Sequence, residues 1–197
     1  LRLDRELGLS PALAPLLPAW KERELGVVLG VGYPQPNRSH FRGIDIWNSG
    51  SAASELAGDG WLARLLQGVQ TRKLADLLAD AVVFGYGATV AHAGFGPLYG
   101  HDLRTLVMDS PAEYLARAKD VAPPTAAAPA GSALDHVLGV QRDIASTVER
   151  LAAVEGEPPR FTAEFPKTTL GRQLGMTAKL IAAEAGVPVW KLTLDGF

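Results

Sequence analysis

Cysteine is missing altogether from these 197 residues. That absence removes disulfide frameworks, zinc ribbons, iron–sulfur ligation and thiol nucleophiles together. It leaves the redox compartment open, because a cysteine-free chain is compatible with either. An excess of basic charge is missing too: 19 Lys and Arg stand against 21 Asp and Glu, a formal net charge of -2. Nucleic-acid recognition rests on a basic face that neutralises phosphates, and membrane-surface binding on clustered Lys and Arg. Neither partner is expected. The stretch 81–100 carries no Asp, Glu, Lys or Arg, yet Gly85, Gly87, His92, Gly94, Gly96, Pro97 and Gly100 interrupt it. A membrane helix needs roughly 20 predominantly apolar residues, so this stretch reads as a buried strand running into a glycine-rich loop, and no transmembrane segment is expected.

What is present is the composition of a globular protein, 47% hydrophobic and 20% charged, long enough to bury a substantial core. Ser10 followed by Pro11 has the form of a helix start, with Pro15 and Pro18 keeping the helix short. The Val- and Gly-rich run from Leu25 to Tyr33, centred on Val27, Val28 and Leu29, predicts a buried strand. Two prolines, Pro34 and Pro36, make the next residues an irregular loop. Ser39 stands where a new helix can begin, with Phe41, Ile44 and Trp47 along one face. Short helices are predicted over 61–67 and 71–79, strands over 81–84 and 103–108, and a helix over 111–119 capped by Asp109 and Ser110. The Ala/Pro-rich run 121–133 reads as a surface linker. Beyond it the spacing of Leu134, Val137, Leu138, Ile144, Val148 and Leu151 predicts a long amphipathic helix, broken at Gly156. A last helix over 169–185 ends before Gly186, and a strand over 188–194 follows. Strands alternating with helices predict an α/β domain with a largely parallel sheet.

The segment 37–45 carries the densest chemistry. A serine at a helix start just after a strand sits where backbone amides favour phosphate or sulfate. Arg38 can pair bidentately with such an oxyanion, and His40 can donate to it or exchange a proton. A hydroxyl nucleophile needs a base or a metal, and spacing alone identifies neither; Asp45, six residues on, does not share a helix face with Ser39. The competing reading makes Ser39 an N-cap and leaves Arg38 and Arg42 in solvent. His92, His101-Asp102 and Asp135-His136 lack the spacing that places two metal ligands on one helix face. Gly30-Val31-Gly32 and Gly85-Tyr86-Gly87 do not extend to the dinucleotide fingerprint, and the Gly-x-Ser-x-Gly elbow does not occur.

The run GVGYPQPNRSHFRGIDIWNSG from Gly30 to Gly50 resembles the signature of the domain of unknown function 1501 family, bacterial proteins often exported with a twin-arginine signal. Trp61 to Arg64, FPKTTLGRQL from Phe165 to Leu174, Ala178 to Ile181, and Leu194 to Phe197 are similar to later elements of that family, so the likeness covers nearly the whole chain. The family is similar to the alkaline phosphatase and sulfatase superfamily. The resemblance implies an alkaline-phosphatase-like three-layer α/β fold, residues 1–197 being one partial domain incomplete at both ends. It implies Ser39 in the nucleophile region, with Asn37, Arg38 and His40 around the oxyanion. It also implies a periplasmic or exported location.

The activity implied is metal-dependent hydrolysis of a phosphate or sulfate ester, a small anionic substrate. The alternative is a non-catalytic anion- or partner-binding protein of the cell envelope, and a third class is a structural or assembly role there. A divalent metal is expected only in the full-length protein. Family members carry Gly-Gly-Asn-Asp-Gly upstream and Asp-Thr-His downstream, the residues suited to hold it, and no metal ligand is assigned within this chain. The Ser-His-Phe string departs from the sulfatase pattern, so no formylglycine is implied. The isolated chain is therefore expected to be catalytically silent and marginally stable, with its oligomeric state left open.

Overall fold

The computed structural model describes residues 1–69, 77–85, 95–101, 103–156, 158 and 161–194. The chain forms two compact units, Leu1–Pro36 and Asn37–Phe197.

In the first unit Asp4 organises a tight turn, its Oδ1 accepting from the amides of Glu6 and Leu7, both at 2.8 Å. Those two bonds hold the Asp4 carboxyl below the usual carboxylate range. The proline-punctuated segment forms a 3-10 turn, Pro11–Leu16, leading into helix α1, Leu17–Lys21. Ser10 makes no side-chain cap bond there. The strand predicted at Val27-Val28-Leu29 does not form. Val28 is 80% exposed and Leu29 64%, and the only bridge described in this unit joins Arg2 to Gly8. A strand needs a hydrogen-bonded neighbour, and a β-rich composition without one stays irregular.

The second unit opens with α2, His40–Ser49, and α3, Trp61–Val69. Three strands follow: β1, Ala81–Phe84; β2, Thr105–Met108; and β3, Val189–Lys191. Between β2 and β3 lie α4, Pro111–Ala118; α5, Ala133–Glu155; and α6, Thr169–Ala182. The sheet order is β2-β1-β3 and both pairings are parallel, with Ala81 beside Thr105 on one side and Val189 on the other. This is the α/β organisation with a parallel sheet that the alternation predicts. The run 121–132 carries no helix or strand, in keeping with a linker. Residues 71–76 of the predicted 71–79 helix lie outside the described residues, and 77–79 are not helical.

β1 is buried at all four positions because it is central and covered on both faces, the circumstance that makes parallel strands continuously apolar. Val82 and Phe84 point into one core with Met108, Leu151 and Leu180. Ala81 and Val83 point the opposite way, into a second core with Leu98, Leu62 and Leu66. Phe84 stacks on Trp190 of β3, ring centroids 6.4 Å apart. Beneath the sheet edge Asp80 is buried, accepts from the Arg104 amide at 2.8 Å and faces the Arg104 guanidinium at 3.8 Å.

Two expected details shift. Along α2 the buried residues are Ile46 and Ser49, while Phe41 is 83% exposed and Ile44 and Trp47 are exposed as well. The apolar stripe read from spacing therefore faces away from the core. α6 ends at Ala182, three residues early, and Glu184 and Gly186 take up left-handed backbone before β3. Among the described residues no helix is long and apolar enough to cross a membrane.

Candidate functional site

In a parallel α/β unit each crossover helix runs back against the strands, so helix N-termini gather at the strands' carboxyl ends. Here a cavity of about 950 Å³ opens at that edge, within the size range of small-molecule sites. All three strands reach it: Gly85 directly after β1, Asp109 and Ser110 after β2, and Thr193 beyond β3. The first turns of α4 and α6 close its sides.

Both helix starts are capped by side chains. Ser110 Oγ accepts from the Glu113 amide at 3.1 Å, and Thr168 Oγ1 accepts from the Gly171 amide at 3.0 Å. Thr169, Arg172, Gln173, Met176, Lys179 and Leu180 recur every three or four residues along α6, so one face of that helix forms a wall of the cavity. Phe161 adds to the apolar lining and packs edge-on against Phe165 at 5.7 Å.

The charges of the cavity are unequal in availability. Asp109 and Glu113 both face the Arg117 guanidinium, at 3.9 and 3.6 Å. Lys179 Nζ lies 3.3 Å from Glu155 Oε2 and donates to the Glu155 carbonyl at 2.8 Å. Arg172 is the exception: it donates to the Lys167 carbonyl and to Thr169 Oγ1, both at 3.3 Å, and pairs with no carboxylate among the described residues. It stands in the first turn of α6, in a cavity whose lining also carries Asp109, Glu113 and Glu155.

Gln173 is 4% exposed, and its Oε1 has no hydrogen-bond partner among the described residues. Opposite it, Gly85 has φ +106°, and a Cβ there would come within 3.0 Å of Gln173 Nε2. The end of β1 is thus bare where the amide lies. Gly85 is fixed in place by its own amide, which donates to the Met108 carbonyl at 3.3 Å.

The residues predicted from the 37–45 motif lie elsewhere in this unit. Asn37, Arg38, Ser39 and His40 are all exposed at the start of α2. Asn37 Oδ1 accepts from the Ser39 amide at 2.8 Å, and Ser39 Oγ accepts from the Arg42 amide at 3.4 Å. That is the helix-cap geometry, the competing reading of Ser39. Arg42 is not left to solvent: its Nη2 donates to the carbonyls of Ala53 and Glu55 and ties down the loop after α2. None of 37–40 lines the strand-end cavity, nor a second cavity of about 670 Å³ beside α2 that includes Phe41, Arg42 and Asp45. His92 and Asp102 lie outside the described residues.

Thr169, Arg172 and Gln173 lie in the run FPKTTLGRQL, which reads in the sequence as a family likeness and not as part of a site. A signal was there, since a helix with Thr168 at its start and a strand at its end must begin at the carboxyl edge of a parallel sheet. The metal implied by the family likeness is not matched by the donors among the described residues. Among the described residues no three His, Asp or Glu side chains come together as a metal site, and the cavity's acids are engaged by Arg117 and Lys179. The chain matches no family model, no curated protein and no solved structure.

Proposed function

We propose that the chain binds a small phosphate or sulfate ester at the carboxyl edge of its sheet, as the anion-holding part of an exported, alkaline-phosphatase-like protein similar to the domain of unknown function 1501 family. The observation that carries the reading is Arg172, a cation with no carboxylate partner among the described residues, in the first turn of α6 and in a cavity fed by all three strands. A guanidinium holds an oxyanion bidentately, and hydrogen bonds to charged groups contribute about 1.5–3 kcal/mol each. The helix terminus adds about 0.3–1 kcal/mol. Together these correspond to a dissociation constant on the order of millimolar for inorganic phosphate. The apolar lining from Phe161 and Met176 takes the organic half of the ester.

For this chain the proposal is binding. Ester hydrolysis is proposed only together with the acidic and imidazole segments that the family likeness adds, because the donors among the described residues do not assemble a metal site. Calorimetric titration of phenyl phosphate into wild type, Arg172→Ala and Ser39→Ala tests the reading. Arg172→Ala is expected to weaken binding about tenfold or more, from the loss of a charged hydrogen-bond donor, while Ser39→Ala keeps the affinity. Binding that depends on Ser39 and ignores Arg172 would return the anion site to the start of α2.

A further inference from the structure

We infer that Gln173 selects the organic part of the ligand, favouring anionic esters that carry a hydroxyl or amino donor close to the ester oxygen over esters with a plain hydrocarbon chain. This rests on the cavity being the anion site. Buried polar atoms in folded proteins nearly always find a partner, and one left without costs about 1–3 kcal/mol. Gln173 Oε1 is such an atom, on a side chain only 4% exposed that forms part of the cavity wall.

An amide oxygen only accepts, so what completes it is an N–H or O–H brought by the ligand. The terminal torsion of glutamine is broad and two-fold, which lets the amide turn to meet a donor entering the cavity. Gly85 keeps the facing strand end free of a side chain that would jam this turn. Arg172 and Gln173 both line this cavity, so one ligand can meet the guanidinium with its anion and the amide with its donor. The small ligand that carries both groups is a hydroxylated or aminated alkyl phosphate or sulfate.

The test compares glycerol 3-phosphate with n-propyl phosphate, which has the same carbon count and no hydroxyl, and with inorganic phosphate. Each is titrated calorimetrically into the full chain and into Gln173→Met. Wild type is expected to bind glycerol 3-phosphate about tenfold or more tightly than propyl phosphate, the size of one well-made hydrogen bond to a buried group. Gln173→Met is expected to bind the two alike. Equal affinity in wild type overturns the role of Gln173 and leaves the anion site standing. A preference that persists in Gln173→Met also overturns it. Failure of all three ligands, inorganic phosphate included, overturns the anion site itself. The wild-type comparison stands alone should the variant fail to fold, and circular dichroism reports that directly.

Discussion

Gly171, two residues into the first turn of α6, shows how a single position sets the cavity wall. A Cβ built there runs into the carbonyl of Pro166, so the chain before the helix passes directly against it. Gly171→Ala is expected to destabilise by about 1–3 kcal/mol, the range for overpacking a tight site, read as a lower midpoint in urea denaturation. Tyr114 gives a pH signature. Half-burial pushes its phenol up, so the folded chain holds the proton where the unfolded chain, near pH ~10, gives it up. The stabilisation is complete below that point and is lost as pH rises through the raised value. Half-burial of Lys191 pulls its ammonium down and works in the opposite sense, stability rising with pH below its ordinary value near ~10.4. The difference between wild type and Tyr114→Phe isolates the tyrosine: wild type is expected to lose stability relative to the variant in alkaline denaturation series. At this scale Ser39, Ser110 and the start of α6 were legible, because a cap is a local matter of one side chain and an amide three residues on. The unpartnered Gln173 was not, because its state is set by what folds around it.

Among the elements, the sequence told most about those whose partners are local. Ala81–Phe84 was legible to the residue, four apolar positions between charged or glycine neighbours, and the long helix was legible from its period. The segment 27–29 was misread for a reason that recurs: Val and Leu in succession are equally compatible with a buried strand and with an unpaired run, and pairing is not encoded in the run itself. Two substitutions separate the cases. Phe84→Ala is expected to cost about 3–5 kcal/mol, since Phe84 is fully buried in the core cluster that includes Leu180. Val28→Ser is expected to stay within about 0.5 kcal/mol, as for an exposed position. A loss of about 2 kcal/mol or more in Val28→Ser would show that the run is buried after all. The exposed stripe of Phe41, Ile44 and Trp47 carries the same lesson, since helical spacing identifies a face and tertiary packing decides whether that face is covered.

At the scale of the chain, the second unit joins a small parallel sheet, helices on both its faces and a cavity at the carboxyl edge of the strands. The fold class was open to reading because alternation of strand and helix is written along the chain, whereas the place of the site depends on where crossover helices begin in space. This is why the motif at 37–45 drew attention and the wall of α6 did not. Neither cysteine chemistry nor an assembled metal site is offered by the described residues, and the chain is expected to show no hydrolysis of aryl phosphates or sulfates that survives chelator. Turnover resistant to chelator would require a hydroxyl or carboxylate nucleophile acting unaided. The most direct test of the central claim is an amide-resolved NMR titration of the full chain with glycerol 3-phosphate. Shifts concentrated at Gly85, Ser110, Ala112, Glu113 and 169–173 are expected and would place the anion at the strand ends, while shifts confined to 37–42 would contradict that placement.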